Sequence, residues 1–251
     1  MTWKKMAMFG VSALALTLGA SGGAQAGLVT NGGFESTTNG GGQLGYNTNA
    51  TDWSVPTPPG SYTFLFTPGS ADTTGVNGQY GSLSLWGPGN GSANGLPATS
   101  PAGGNYIAQD SAFQLGALSQ TINGLTPGDN YTVGFYWAAA QQSGFSGGTS
   151  SQWNVSLGGQ TQSTALESIP SQGFSGWMYQ TFTYTATSTS ELLSFLASSP
   201  SSGSLPPFVL LDGVSVTSVP EPSSLSLLIM GVSLLGLGVV GLRRRAKSAA
   251  V

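Results

Sequence analysis

The chain has 251 residues, with 6 Lys or Arg, 9 Asp or Glu, and no His or Cys. All six basic residues lie close to a terminus, so the region from Met6 to Leu242 has none, whereas residues 27–219 hold eight of the nine acids. The central region therefore lacks the cations that nucleic acids and phosphorylated substrates require. A Ser-His-Asp triad, a Cys nucleophile, a His- or Cys-ligated metal and disulfides are excluded as well.

Residues 1–26 have the pattern of a secretory signal peptide. Lys4 and Lys5 precede an apolar run from Ala7 to Ala20, and Ala24-Gln25-Ala26 fits the small-x-small cleavage rule. We expect the mature chain to begin at Gly27. The alternative is an anchor helix that is not cleaved.

Residues 27–219 are predicted to form one all-β domain, a β-sandwich. Short alternating apolar runs are separated by Gly, Pro, Asn and Ser clusters, and this is typical of a sandwich or barrel. The run 207–217 is apolar on both faces near its middle, so we expect it to be central in its sheet. The Gly-rich segment Gly87–Gly104 is expected to be a flexible loop outside the core. The predicted strands are 28–35, 61–67, 82–87, 105–110, 115–122, 130–140, 152–158, 177–187, 191–198 and 207–217.

Aromatic side chains are the first candidates for a binding site in this domain. Rings of Trp or Tyr can stack on sugar faces, with a few polar groups placed around them. Trp86 and Trp53 are the candidate ligand-binding residues, and Trp86 is favoured because the turn residues Gly87–Gly91 follow it. The alternative is that both tryptophans are core residues.

A series of short motifs runs through the body in a recognisable order. This order resembles the galactose-binding-like jelly roll found in many carbohydrate-binding modules. The resemblance covers most of 27–219 and implies a jelly-roll sandwich with a carbohydrate ligand. The motifs are Leu28–Glu35, Trp53, Leu118–Ile122, Leu125–Val133, Trp177, Phe182–Ala186 and Leu211–Val216.

The same resemblance implies a structural Ca²⁺ ion that joins the first strand to the last. The matching positions are Glu35 and Asp212. Asp212 stands in an apolar run, where an unpaired carboxylate is costly, and the body offers no Lys, Arg or His to pair with it. The alternative is that Asp212 caps a turn through its Asp-Gly pair. The family usually has Asp-Asp where this chain has Asp212-Gly213.

The C-terminal segment, 220–247, contains three parts in a fixed order. Pro220-Glu221-Pro222 is followed by an uncharged apolar run at 223–242 and then by Arg243-Arg244-Arg245. Twenty residues of helix span about 30 Å, the thickness of a bilayer core, so we predict a transmembrane helix with a cytoplasmic basic tail. The segment resembles the PEP-CTERM sorting signal of Gram-negative bacteria. That resemblance implies processing by an exosortase near the Pro-Glu-Pro motif and transfer to the cell surface or the exopolysaccharide matrix. The alternative is a simple tail anchor.

These patterns predict an exported, non-catalytic protein with a structural or adhesive role, as in a biofilm matrix. The first alternative is a carbohydrate-binding module with a defined glycan ligand. The second is a secreted glycan-active enzyme, since two carboxylates suffice for glycoside hydrolysis. No cofactor other than the structural Ca²⁺ ion is expected, and the expected partners are the exosortase, the membrane before processing, and an exopolysaccharide or other glycan.

Overall fold

The computed structural model describes residues 27–56, 60–200 and 205–220. The predicted signal peptide and the predicted helix at 223–242 lie outside these ranges. Among the described residues, no helix is long and apolar enough to cross a membrane.

The described residues form an all-β sandwich, which confirms the predicted fold class. One sheet has six strands in the order β1-β2-β5-β13-β7-β11, and the facing sheet has the order β10-β8-β12-β6, with β9 paired to β8. A separate hairpin joins β3 to β4. The strands are β1 (Gly42–Gln43), β2 (Thr63–Phe66), β3 (Val76–Gly78), β4 (Gly81–Leu83), β5 (Tyr106–Asp110), β6 (Leu118–Asn123), β7 (Asn130–Gln141), β8 (Thr149–Leu157), β9 (Gln160–Ser163), β10 (Glu167–Ile169), β11 (Met178–Thr185), β12 (Ser190–Ser198) and β13 (Pro207–Ser218).

The chain crosses repeatedly from one sheet to the other. From β5 onward it passes back and forth between the six-stranded and the five-stranded sheet, with β8, β9 and β10 all in the second, and it returns to the middle of the first as β13. This connectivity is that of a double-sheet jelly roll. β13 lies between β5 and β7, as its two-sided apolar pattern predicted.

The main core lies between the two sheets. Alternate residues of β7 point into it, as the sequence pattern predicts for a strand that covers a core. Phe195 is fully buried there and meets the rings of Phe135 and Trp153 edge-on, with centroids 5.2 and 5.9 Å away. The Trp153 indole N–H donates to the Leu210 carbonyl at 3.0 Å, so its only polar atom is satisfied.

A second core covers the outer face of the six-stranded sheet. Phe66, Tyr106 and Leu210 point outward from that sheet, and Leu85 and Leu96 cover them from the segment that joins β2 to β5. Leu96 is only 6% exposed. The segment Gly87–Gly104 contains no strand, as predicted. The expectation that it lies outside the core is wrong, because its Leu96 covers an apolar sheet face.

The predicted strand at 28–35 is also absent. Asn31 and Phe34 have φ angles of +50° and +58°, in the left-handed region, so the chain bends there instead of extending. The segment nevertheless follows β13, since the Val214 amide donates to the Gly32 carbonyl at 2.9 Å. A Cβ at Gly32 would overlap the Val214 carbonyl, so only glycine fits this approach.

Candidate functional site

A cleft of about 300 Å³ opens beside β2 and β5, near one edge of the six-stranded sheet. We call it the aromatic cleft, because five of its lining residues are aromatic. Its lining residues are Gln43, Tyr62, Phe64, Gly78, Tyr80, Gly81, Ser82, Leu83, Asp110, Phe113, Gln142, Phe145 and Pro206. Three of the rings are substantially exposed although they are large: Tyr80 is 76% exposed, Phe113 44% and Phe145 37%.

The β3–β4 hairpin carries Tyr80 at its tip. Gly78 pairs with Gly81, which leaves Gln79 and Tyr80 as a two-residue turn. The Gln79 amide donates to Gln43 Oε1 at 2.8 Å, and this bond ties the turn to the sheet. The Tyr80 ring lies nearly parallel to that of Tyr62, with centroids 6.2 Å apart and 16° between the planes.

The loop after β5 supplies the opposite part of the wall. The Phe113 ring lies 6.0 Å from the Tyr62 ring, measured between centroids. The Tyr62 amide donates to Gln114 Oε1 at 2.6 Å, so the same loop fixes the backbone that carries Tyr62. Tyr62 is thus held between the hairpin and the β5 loop.

Asp110, the last residue of β5, provides the charge of the aromatic cleft. It is 5% exposed, and its Oδ1 accepts the amide hydrogens of Ala112 at 2.9 Å and Phe113 at 3.3 Å. Burial raises the pKa of Asp110 to about 6 and outweighs these two donors, which favour the ionised form. The carboxylate is still largely ionised at neutral pH, and no Lys, Arg or His stands between Met6 and Leu242 to neutralise it.

Two polar side chains of the lining are free to bind a ligand. Among the described residues, the Gln142 amide and the Ser82 hydroxyl have no hydrogen-bond partner. Gln43 is already committed, because its Nε2 donates to the Ser61 carbonyl at 2.6 Å and its Oε1 accepts from Gln79. The aromatic cleft therefore combines exposed rings, one buried carboxylate and unpaired amide and hydroxyl groups.

The two tryptophans predicted as binding residues lie in different environments. Trp86 is half-buried beside the aromatic cleft, and its indole N–H donates to the Phe145 carbonyl at 2.7 Å. It therefore supports a residue of the wall without lining the cleft. Trp53 is 7% exposed and packs against Phe34 and Phe195 in the main core. The interpretation of Trp53 as a binding residue is corrected, because its ring has no face open to a ligand.

Sequence reasoning missed Tyr62, Tyr80, Phe113 and Asp110. A signal for Tyr80 does exist in the sequence, where Gly78-Gln79-Tyr80-Gly81 places an aromatic residue between two turn-forming glycines. Asp110 offers no such signal, because a lone acid at the end of a strand is most simply a turn residue.

Glu35 and Asp212, the predicted calcium ligands, lie near each other. A Cβ built on Gly33 would be 3.8 Å from Asp212 Oδ1 and 3.9 Å from Glu35 Oε1. A β-bulge between Asp212 and Ser215 interrupts the pairing of β13 with β7 at this point. The bulge and the bend at 31–35 together bring the two carboxylates to one place.

Each of the two carboxylates also has donors from the protein. Asp212 is fully buried and accepts hydrogen bonds from the Ser100 hydroxyl and, at 2.6 Å, from the Gly213 amide. The hydrogen bond from the Gly213 amide is the turn cap that the alternative interpretation of the Asp-Gly pair predicted. Glu35 is exposed, and its Oε1 accepts the Asn105 amide at 2.8 Å.

Burial raises the pKa of Asp212 to about 7. The hydrogen bonds from Ser100 and Gly213 lower the pKa, whereas the nearby charge of Glu35 raises it further. No group of three or more His, Cys, Asp or Glu side chains able to hold a metal occurs among the described residues. Two neighbouring carboxylates with no cation nonetheless fit a hard divalent ion, which also accepts backbone carbonyls as ligands.

A second groove of about 350 Å³ lies against β6, on the other sheet. We call it the polar groove, because polar side chains such as Asp52, Ser119 and Gln120 line it and none of its lining residues is aromatic. Gln120 Nε2 donates to the carbonyls of Thr30 and Asp52, so this amide is already engaged.

Of the predicted sorting residues, Pro220 ends the last described range. Glu221, Pro222, Arg243, Arg244 and Arg245 lie outside the described residues, as does the apolar run between them.

Several solved structures are similar to the sandwich. The CBM22-1 xylan-binding domain of Paenibacillus barcinonensis Xyn10C is 14% identical, and the match covers 79% of this chain and 99% of that domain, with a TM-score of 0.38. A putative sugar binding protein of Bacteroides thetaiotaomicron is 10% identical over 77% of this chain and all of that one, with a TM-score of 0.38.

An enzymatically active domain is also similar. For tailspike protein 4 of bacteriophage CBA120 the identity is 15% and the TM-score 0.36, and the match covers 77% of this chain but only 21% of the tailspike chain. These values show nothing about a ligand or an activity of the present chain. No curated protein matches it.

The PEP-CTERM protein-sorting motif matches residues 218–245, which include the Pro-Glu-Pro sequence, the apolar run and the three arginines. The chain thus carries a PEP-CTERM protein-sorting motif, which implies an exported protein that an exosortase processes.

Proposed function

We propose that this protein is a non-catalytic adhesive module that binds a glycan in the aromatic cleft after export. The supporting observation is the arrangement of Tyr62, Tyr80 and Phe113 around Asp110, with the free amide of Gln142 beside them. Apolar ring faces stack on the C–H faces of sugars, and a few polar groups orient the hydroxyls.

A non-catalytic role is favoured because the described lining of the aromatic cleft holds a single carboxylate. Glycoside hydrolysis ordinarily uses a pair of Asp or Glu residues on either side of the scissile bond. Among the described residues that line the cleft, Asp110 is the only acid. A binding function needs no second carboxylate.

The proposed place of action is the cell surface or its exopolysaccharide matrix. Export and sorting follow from the PEP-CTERM motif. On this proposal residues 1–26 are removed as a signal peptide, and the run 223–242 holds the chain in the membrane until the exosortase releases it. The domain 27–219 then carries no basic side chain.

The glycan proposal is tested with an array of bacterial and plant polysaccharides and the full-length chain, in a detergent without a sugar headgroup. We expect binding by the wild type and a loss on the order of tenfold for Tyr80→Ala, because one stacking ring contributes about 1–2 kcal/mol. Tyr179→Ala is the matched control, since Tyr179 is also exposed but lies on β11 at the opposite edge of the sheet. The proposal would be contradicted if the wild type bound no polysaccharide on the array, or if Tyr80→Ala bound as tightly as the wild type.

We further propose that Glu35 and Asp212 hold a structural Ca²⁺ ion. The support is the full burial of Asp212 beside a second carboxylate, with no basic side chain in the domain to neutralise either. The ion would join the segment at 31–35 to β13, so it would stabilise the sandwich and take no part in a reaction.

Thermal unfolding in calcium and in chelator tests this site. A ligand that binds only the native state raises the melting temperature. We expect calcium to raise the melting temperature of the wild type and of the control variant Glu167→Gln. The increase should be much smaller for Glu35→Gln, because this substitution removes the charge of one proposed calcium ligand. An identical melting temperature in calcium and in chelator would rule the ion out.

A further inference from the structure

We propose that the ligand of the aromatic cleft is a cationic glycan, a polysaccharide whose hexosamine units carry free, protonated amino groups. This inference rests on the proposed glycan-binding function and names the class of glycan. One ammonium group would lie against the Asp110 carboxylate, with the aromatic rings of the cleft around it.

The first argument is the unpaired charge of Asp110. The carboxylate is almost fully buried among the residues that line the aromatic cleft, and such a position opposes its ionisation. A neutral sugar would need only a hydrogen-bond acceptor, which an uncharged Asn or Gln would supply without the cost of a buried charge. A cationic ligand would compensate the buried negative charge through a charge-assisted hydrogen bond.

The aromatic wall favours the same ligand. An ammonium group within about 6 Å of a ring centroid is attracted to the face of the ring, and the attraction grows when water is excluded. Tyr62 lies at the centre of this wall, within reach of both Tyr80 and Phe113. The rings also disfavour a bare metal ion, since Ca²⁺ requires 6–8 oxygen ligands and the wall offers few.

The cleft can accept two of the three hydrogen bonds that an ammonium group donates. A primary ammonium group has three donors, as a lysine side chain does. Asp110 can accept one, because its Oδ1 is used by two amides but no hydrogen bond to its Oδ2 is formed by the described residues. The Gln142 side chain, which is free, offers a second acceptor through its carbonyl oxygen.

The net charge of the domain points in the same direction. Residues 27–219 contain eight acids and no Lys, Arg or His. A surface with a single sign of charge attracts polycations and repels polyanions. An anionic polysaccharide would meet repulsion from the whole domain as well as from Asp110.

Isothermal titration calorimetry of the full-length chain tests the inference with matched oligosaccharides. The probes are β-1,4- and β-1,6-linked glucosamine oligomers and their fully N-acetylated counterparts, in which the amine is neutral. For at least one linkage we expect the free amine to bind on the order of tenfold more tightly than the acetylated form. Salt should weaken the amine form selectively.

Asp110→Asn is the decisive variant. Asn can keep the hydrogen bonds from Ala112 and Phe113 while it removes the charge, and its melting temperature reports whether the fold is intact. We expect it to remove the preference for the free amine, so that the free and the acetylated oligomers bind with similar affinities. Glu167→Gln removes a charge from β10, in the other sheet, and should keep the preference.

The outcomes separate this inference from the proposed function. Equal binding of free and acetylated oligomers, or an Asp110→Asn variant that keeps the preference, would overturn the cationic ligand and leave glycan binding intact. Binding of an oligolysine peptide as tight as that of the glucosamine oligomer would show that the sugar is not recognised and would also overturn it. Failure of the chain to bind any glycan would overturn both.

Discussion

Asp110 and Asp212 differ from the third buried acid, Glu191, in how their charges are accommodated. Burial raises the pKa values of Asp110 and Asp212 to about 6 and about 7. Burial opposes the ionisation of Glu191 as well, but Thr187 and Ser188 together donate three hydrogen bonds to its Oε1 and hold its pKa below its ordinary value. The charge of Glu191 is therefore stabilised through Oε1, although its buried Oε2 has no hydrogen-bond partner among the described residues. The charges of the two aspartates are less well compensated, as their raised pKa values indicate, and these residues are candidates to bind cations.

The raised pKa values of Asp110 and Asp212 predict that the metal-free protein is most stable in mild acid. Between about pH 4 and pH 7 the folded state holds protons on Asp110 and Asp212 that the unfolded state has lost, so stability falls as the pH rises through this range. Once the carboxylate is ionised in both the folded and the unfolded state, the raised pKa corresponds to a loss of about 3 kcal/mol for Asp110 and about 4 kcal/mol for Asp212.

Thermal unfolding in chelator measures this effect. The melting temperature should be lower at about pH 7.5 than at about pH 5, and Asp110→Asn should reduce the difference because one of the two protons is removed. Glu167→Gln should leave the difference unchanged. A melting temperature that rises over this interval would mean that neither aspartate carries the burial cost assigned to it.

Sequence reasoning succeeded for some residues and failed for others for identifiable reasons. The family resemblance placed Glu35 beside Asp212, and the structure brings them together. The search for rings that could stack on a sugar made Trp53 a candidate, but the aromatic rings of Phe34 and Phe195 enclose it, and such tertiary contacts leave no trace in the local sequence. Asp110 becomes notable only because the fold places it in the same cleft as the distant residue Tyr80.

At the scale of elements, strands with clear alternation were predictable and the short ones were not. β7, β12 and β13 are long and apolar on at least one face, and their positions agree with prediction. The β3–β4 hairpin has only a few apolar residues, because it covers a sheet through Val76 and Leu83 and otherwise faces solvent. The element that carries Tyr80 was therefore only partly predicted, by the run 82–87.

The hairpin fits against the sheet only if residue 78 is glycine. A Cβ there would lie 2.6 Å from Gln43 Oε1 and 2.8 Å from Phe64 Cε1, closer than side chains tolerate. Gly78→Ala should push the hairpin outward, lower stability by about 1–3 kcal/mol and weaken glycan binding, because Tyr80 moves away from Tyr62. Unfolding in denaturant and titration with the best glycan of the array measure the two effects.

Gly148→Ala is the matched control for that substitution. A Cβ at Gly148 would meet only the Ile169 carbonyl, at 3.4 Å, which is an ordinary contact. We expect wild-type stability and affinity. If Gly78→Ala behaves like Gly148→Ala in both measurements, the hairpin does not set the geometry of the cleft.

At the scale of the whole molecule, charge is divided according to segment. The six basic residues belong to the two terminal segments, whereas the sandwich carries acids alone. On the proposed export route the basic clusters flank a signal peptide and a membrane span, where such clusters remain in the cytoplasm. The exported sandwich is left as an anion, which suits a cationic ligand in the aromatic cleft and a divalent ion at Glu35 and Asp212.

Hydrogen–deuterium exchange of the full-length chain, with and without the glycan that binds best, locates the ligand directly. The account predicts that the glycan slows exchange at 61–64, 78–83 and 110–114, the backbone segments of the aromatic cleft, and leaves the polar groove at 52–54 and 119–123 unchanged. Slower exchange confined to the polar groove, or no change in the cleft under saturating glycan, would contradict the account.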